Sequence, residues 1–324
     1  MRWRTVAASV AGAGLLIWLL LRTGVTAVAT AAATFGLEGF LAVLVFQLGL
    51  TAVMAVAWSL LGRGGRSTRA GAFVWARLVR DAVSQALPFT QVGGIVVGGR
   101  ALTLEGLDGD FALASTISDL AVEFITQIAF VALGGALLAW LHPHSDLGQP
   151  VLVVVGALAV MAGGMMLAQF WGASWIERAL RRMLSLAPGD GHATPVAQAF
   201  RLIIRRPAPV VMAAILHLAA WLLSALQTWI TLRFLGVHVS LAGAVVLDSL
   251  TAGVKAVAFF VPASLGVQEG VLVLLGTVFG VPPSGALALS LIRRARDLVI
   301  GLPVLAAWQM RHGERLWRRA GPSA

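Results

Sequence analysis

Lys255 is the only lysine of the chain, and it lies in an apolar run ahead of a Pro-Ala-Ser-Leu-Gly break at Pro262 to Gly266. Past the break come Glu269 and a basic cluster, Arg293, Arg294 and Arg296 beside Asp297, all between Ala244 and Gly301. An ammonium attracts an anion as a point charge, and a guanidinium matches a phosphate or carboxylate bidentately. A charge at membrane depth costs about 3 kcal/mol on insertion scales, so it faces a partner or a polar cavity. Recognition of an anionic group is the chemistry these residues offer.

Further ionisable residues sit in apolar surroundings. Asp119, Glu123 and Gln127 recur every four residues and share one helix face. Asp248 and Lys255, seven apart, also share a face, and each is placed to be the other's counter-ion. Arg80 lies with Arg77 and Asp81 in a segment too short to cross a membrane comfortably. Structural ion pairing inside a helix bundle would account for any one of these residues. Together, the acids, the lysine and the arginine triplet point to a polar cavity that receives an anionic headgroup while the tails stay in the bilayer. Proton coupling through Asp119, Glu123 or Glu269 is open to such a site, since burial favours the neutral form of a carboxyl.

Other patterns carry less. His142 and His144 beside Asp146 lack a third clear ligand, so no metal site is expected, and His217 reads as a packed helix residue. Trp58, Trp75, Trp140, Trp171, Trp175 and Trp308 fall near span ends, where interfacial anchoring explains them. The Gly94 to Gly98 spacing reads as helix packing. The acid pair Asp119 and Glu123 has neither nucleophile nor metal beside it, a weak basis for an intramembrane transferase. No nucleotide-binding or hydrolase motif is present, and neither a cofactor nor enzymatic activity is expected.

The elements that must position these residues are membrane helices. Hydrophobic residues make up 59% of the chain and charged residues 12%, in continuous runs of spanning length rich in Ala, Leu, Val and Gly. That excludes a soluble globular protein and the alternating strands of a β-barrel, and it predicts an all-α polytopic membrane protein. The net charge of +10 gathers in short loops beside apolar runs, so anionic headgroups rather than nucleic acid are the counter-charge. Absence of cysteine removes disulfides and thiol chemistry.

In order, the first span is Thr5 to Leu21, read as uncleaved, and Thr23 to Gly36 is a short interfacial piece before a second span, Leu37 to Leu61. Phe73 to Leu87 and Gln91 to Gly99, separated by Pro88, form a broken or re-entrant pair, a surface helix plus loop being the other reading. A long helix runs from Asp110 to Leu141, and Val151 to Phe170 returns to a basic amphipathic linker over 173–206, with a break at Gly189 to Thr194. Ala208 to Leu235 follows, then a second broken pair, Ala244 to Phe260 and Val267 to Phe279, and a last span, Ser284 to Met310. The expected total is about six full spans plus two broken or re-entrant hairpins, eight to ten membrane segments in a single domain, 1–324. Basic loops place both termini in the cytoplasm. Residues 37–141 and 208–310 read as repeat units of opposite orientation, the arrangement in which broken segments mark a transport site.

The run FFVPASLGVQEGVLVLLG, Phe259 to Gly276, with ALALSLIRRARDL, Ala286 to Leu298, resembles the flippase-like membrane proteins related to the transmembrane region of lysylphosphatidylglycerol synthase. Within that group the chain is most similar to the hopanoid biosynthesis-associated proteins of the HpnL type. Pro262, Gly266 and Glu269 are the most specific part of the likeness, which spans essentially the whole chain. It implies translocation of an anionic phospholipid or hopanoid-type lipid, or of a lipid-linked headgroup, in the bacterial inner membrane. The alternative is a non-catalytic scaffold for hopanoid or lipid-modifying enzymes in the membrane. No aminoacyl-transferase domain follows within the 324 residues, so synthase activity is not expected.

Overall fold

A computed structural model of the chain describes residues 25–62, 69–86, 91–143, 195–258 and 264–320, with Val261 and parts of 149–160. Nine helices stand among the described residues: α1 Val25–Gly62, α2 Ala70–Ala86, α3 Gln91–Leu104, α4 Gly109–Leu141, α5 Pro195–Ile204, α6 Pro207–Phe234, α7 Leu241–Val257, α8 Val267–Val278 and α9 Pro283–Ala320. No strand occurs among those residues, and the fold is an all-α membrane bundle. Local chemistry sets the helix ends. Asp108 caps α4, its Oδ1 accepting from the amides of Asp110 and Phe111 at 3.1 Å, and Ser240 caps α7 through the Gly243 amide. Proline begins α5, α6 and α9, where the missing N–H costs nothing.

Among the described residues three helices are long and apolar enough to cross a membrane: Ala33–Gly62 within α1, Gly109–Leu141 and Pro207–Phe234. Their outward faces carry exposed Leu41, Val45, Ile125, Leu133, Val211 and Ile215, a surface suited to acyl chains rather than water. From Val25 on, the Thr23 to Gly36 piece is a short helix set off from the span that begins at Leu37 by a break at Gly36, whose φ of 66° and ψ of 172° are not helical and whose φ only glycine adopts freely. The first span, most of Val151 to Phe170, the linker up to 194, Pro88 and Pro262 lie outside the described residues.

Two ends of the bundle can be told apart by their contacts. At one, the Arg311 guanidinium lies 4.6 Å from the Trp75 ring and 3.8 Å from Glu105, and Phe73 abuts Gly62. At the other, Phe35 meets Phe234 edge-on at 5.8 Å, His142 meets Phe279 at 5.0 Å, and Gly243 faces Val239 and Phe279. Helix α1 joins these ends, with about 40 Å of helix rise between Phe35 and Gly62. α2 therefore begins, and α3 finishes, at the Arg311 end. α7 begins, and α8 finishes, at the Phe279 end. Each short pair is thus a hairpin that starts and finishes at one end of the bundle, and the two pairs occupy opposite ends. At 17 and 12 residues, α7 and α8 are only about 25 and 18 Å long, short of a ~30 Å hydrocarbon core.

The packing follows one plan twice. α1 lies against α2, and α6 against α7; α3 against α4, and α8 against α9. Between the units, α4 packs on α6 and α7 as α9 packs on α1 and α2, while α1 and α6 pack on each other. That last contact is antiparallel, with Gly39 beside Phe234 and the Gln227 amide donating to the Val43 carbonyl. Exchanging α1–α4 with α6–α9 maps every one of these contacts onto another. A helix of α2's buried character is no surface helix: Phe73, Ala76 and Val79 are fully enclosed. Gly94 and Gly98 let α3 close onto α2, since a Cβ at Gly98 would stand 2.9 Å from that of Arg80.

Candidate functional site

Two clusters of charge occupy the interior, one in each half. In the first, α2 supplies Arg77, Arg80 and Asp81, α4 supplies Asp119 and Glu123, and α6 supplies His217. Arg80 donates to Asp119 Oδ2 and Glu123 Oε2, each at 2.8 Å, and Arg77 donates to both Glu123 oxygens at 2.8 and 3.0 Å. Arg77 also reaches Asp81, one turn along α2, at 3.0 Å. His217 Nε2 lies 2.9 Å from Asp119 Oδ1. Its centre is enclosed and its edge is not: side-chain exposure is 0% for Asp119 and His217, 5% for Arg77 and 7% for Arg80, against 14% for Glu123 and 26% for Asp81. Trp58 packs beneath it, fully buried, with Arg80 5.8 Å from its ring. Trp58 is thus not an interfacial anchor, because the α2–α3 hairpin covers it.

The second cluster lies where α7, α8 and α9 meet α6. Arg293 donates to Asp248 Oδ1 and Thr228 Oγ1, and Ser224 donates to the other Asp248 oxygen. Arg294 donates through two nitrogens to Glu269 Oε1, at 2.9 and 2.8 Å, and the Ser290 hydroxyl reaches the same oxygen at 2.6 Å. Arg296 pairs with Asp297 at 2.7 Å and donates to Gln227 Oε1. Lys255 Nζ donates to Gln268 Oε1 at 2.9 Å, and the Gln268 amide donates to Ser290 at 2.7 Å. A chain of hydrogen bonds therefore runs from Lys255 through Gln268 and Ser290 to Glu269, whose Oε2 is buried without a partner.

The counter-ion pairing expected between Asp248 and Lys255 does not form. Seven residues of helix separate them by about 10.5 Å along the axis, and Asp248 turns to α6 and α9 instead. Lys255 makes no ion pair with a described carboxylate. The charges that act on its ammonium are Asp297 and the guanidiniums of Arg293, Arg294 and Arg296. Each arginine of that triplet already holds a carboxylate. Among the described residues four cations thus face three carboxylates, and Lys255 is the one that holds none. Like the first cluster at Asp81, this one has an open edge, since the Arg294 and Asp297 side chains are 22% and 23% exposed.

The structure gathers Asp119, Glu123 and Arg80 in the first cluster and Asp248, Lys255, Glu269, Arg293, Arg294, Arg296 and Asp297 in the second. Gln127, on the Asp119 face, donates to the Ala252 carbonyl and ties α4 to α7. Reading the sequence missed the polar partners on α6: His217, Ser224, Gln227 and Thr228. Their spacing of three, four and seven residues along an otherwise apolar span was the signal available. Gln268 and Ser290 gave no comparable sign. Among the described residues no group of His, Cys, Asp and Glu is arranged to hold a metal ion. His144, Asp146, Trp171 and Trp175 lie outside those residues.

A comparison with protein-family models matches residues 5–304 to the family described as lysylphosphatidylglycerol synthase TM region. No curated protein and no solved structure matches the chain.

Proposed function

The chain belongs to the lysylphosphatidylglycerol synthase TM region family, membrane proteins involved in lipid handling, and from that premise we propose that it moves an amphipathic lipid with an anionic headgroup between leaflets. The observation that carries the reading is the unpaired ammonium of Lys255, resting on a neutral amide among three ion-paired arginines. An uncompensated cation in a low-dielectric interior is costly, and an entering phosphate or carboxylate relieves that cost. Arg293, Arg294, Arg296 and Asp297 surround the headgroup, and Glu269, Asp248 and their hydroxyl partners hold the arginines in place. The first cluster, with Arg80, Asp119 and Glu123, anchors the other half of the carrier and does not bind the headgroup.

The α7–α8 hairpin supports the reading because it brings helix ends and polar groups to mid-depth from one face while α2–α3 does so from the other. We place the protein in a bacterial inner membrane with both termini cytoplasmic, and take an anionic phospholipid or a hopanoid-type lipid as the cargo. No chemical conversion is assigned to it. Leaflet exchange of a fluorescent lipid in liposomes, followed with an impermeant quencher, tests this directly. Wild type exchanges anionic lipid faster than protein-free liposomes do, and Lys255→Ala loses the acceleration while keeping its fold. Absence of exchange across anionic, zwitterionic and hopanoid-type lipids would replace the proposal with a scaffold for lipid-modifying enzymes.

A further inference from the structure

His217 is the buried titratable group that lipid recognition leaves without a role. Its ring is fully enclosed, Nε2 faces Asp119 Oδ1 at 2.9 Å, and Nδ1 has no partner. Asp119 is an acceptor on its other oxygen too, where Arg80 donates, so the ring keeps its proton on Nε2, donates it to Oδ1 as a hydrogen bond and leaves the Nδ1 lone pair open. The surrounding charges do not balance. From α2 come two guanidiniums, Arg77 and Arg80, and the Asp81 carboxylate; from α4 come Asp119 and Glu123. Two cations against three carboxylates leave one negative charge in excess among the described residues.

No described charged side chain on the other elements packed on α6 cancels that excess. From α7 and α9, Asp248 and Arg293 pair with each other at Ser224 and Thr228, more than a turn further along α6. α9 also brings Arg296 and Asp297, themselves paired, to Gln227. α1 offers only Glu38, far from His217 because Gly39 lies beside Phe234. α5 carries Arg201, and Ala199 and Ile203 of the same helix pack in the cluster that includes Ala213. One turn beyond His217 on the same face, Trp221 Nε1 is a second buried polar atom without a partner.

We propose that His217 and Asp119 form an internal proton-binding site. A proton adds to the open lone pair of Nδ1, the imidazole becomes imidazolium, Nε2–H stays on Asp119, and the cluster becomes neutral. The geometry gives this proton a place that is buried, at an open lone pair, and beside an excess of negative charge among the described residues. The site stands without any lipid. Its use as the coupling ion for translocation rests on the carrier reading above, and the test of the site is independent of that reading.

The test uses the full chain in nanodiscs with 15N-labelled histidine, following ring nitrogen resonances as pH is lowered from about 8 to 5. His217→Gln, which keeps a donor for Asp119, identifies the His217 signals. Nδ1 of His217 is expected to gain a proton across that range, and His217→Gln is expected to take up one proton fewer per molecule. Asp81→Asn removes the outermost carboxylate while Arg77 keeps Glu123, and it weakens proton uptake at His217 about tenfold, one pH unit. Ring signals that stay neutral, or stay cationic, throughout the range would overturn the proposal. So would Asp81→Asn with a folded spectrum and an unmoved His217 titration, because the charge excess would then play no part.

Discussion

Arg77 and Asp248 hold the same place in matching helices with opposite charge. Each is the eighth residue of a 17-residue helix, α2 or α7, the first arm of a hairpin. Each meets the opposite charge from the long helix that follows: Arg77 meets Glu123 and Asp119 of α4, and Asp248 meets Arg293 of α9. One architectural plan is therefore filled with inverted polarity. Among the described residues the first cluster holds an excess of carboxylate and the second an excess of cation.

The Asp248 pair gives the first expectation. Asp248 satisfies Arg293, Ser224 and Thr228 at once, and side-chain exposure is only 15% for Arg293 and 8% for Asp248. Asp248→Asn should destabilise the protein by about 3 kcal/mol, since removing one partner strands a buried charge. Adding Arg293→Met to that variant should recover at least half of the loss. Unfolding midpoints of the two variants in detergent check this, and equal or greater destabilisation of the double variant would contradict it.

Hairpin topology is open to a labelling experiment because the chain has no cysteine of its own. Ala70→Cys and Glu105→Cys, at the start of α2 and just past α3, should react with an impermeant maleimide from one side of the membrane. Leu241→Cys and Gly280→Cys, at the start of α7 and just past α8, should react from the other. All four positions are exposed. Labelling of Ala70→Cys and Glu105→Cys from opposite sides would mean that α2 and α3 together cross the bilayer.

Much of this was legible in sequence because it follows from apolar length and from the rarity of charge in a bilayer. The paired short segments, the long α4 and the charged residues of both clusters announce themselves as exceptions in apolar runs. Partners are another matter. Asp248 and Lys255 share a helix face, yet side-chain reach is shorter than two helical turns, and the true partner Arg293 comes from 45 residues away. Trp58 sits near a span end exactly as an interfacial tryptophan does, and only the hairpin folding over it makes it core. His217 looks like any polar residue in a span until α4 brings Asp119 to it from 98 residues away.

The glycines of α3 give a steric expectation. A Cβ at Gly94 would collide with Ser84 Oγ and stand 2.6 Å from the Arg80 carbonyl oxygen, which as backbone cannot move aside. Gly94→Val should force α3 off α2, cost about 1–3 kcal/mol, and loosen the arginines that α2 presents to Asp119 and Glu123. Gly49→Ala in α1, where a Cβ meets nothing within 4 Å, is the control and should leave the unfolding midpoint unchanged. A Gly94→Val protein as stable as the control would show that the two helices have room to separate.

Lys255 allows binding to be separated from transport. A ligand that binds only the folded state raises its stability, by about 2.7 kcal/mol at one hundred times its dissociation constant. Phosphatidylglycerol added to detergent-solubilised wild type should therefore raise the melting temperature, and phosphatidylcholine, which carries no net charge, should raise it less. Lys255→Met removes the unpaired ammonium and leaves Gln268 still donating to Ser290, so its fold should survive. Without added lipid the variant should melt no lower than wild type, because a desolvated charge without a carboxylate stabilises nothing. It should also lose most of the increment that phosphatidylglycerol gives. An undiminished increment in Lys255→Met would place the anionic lipid elsewhere on the bundle.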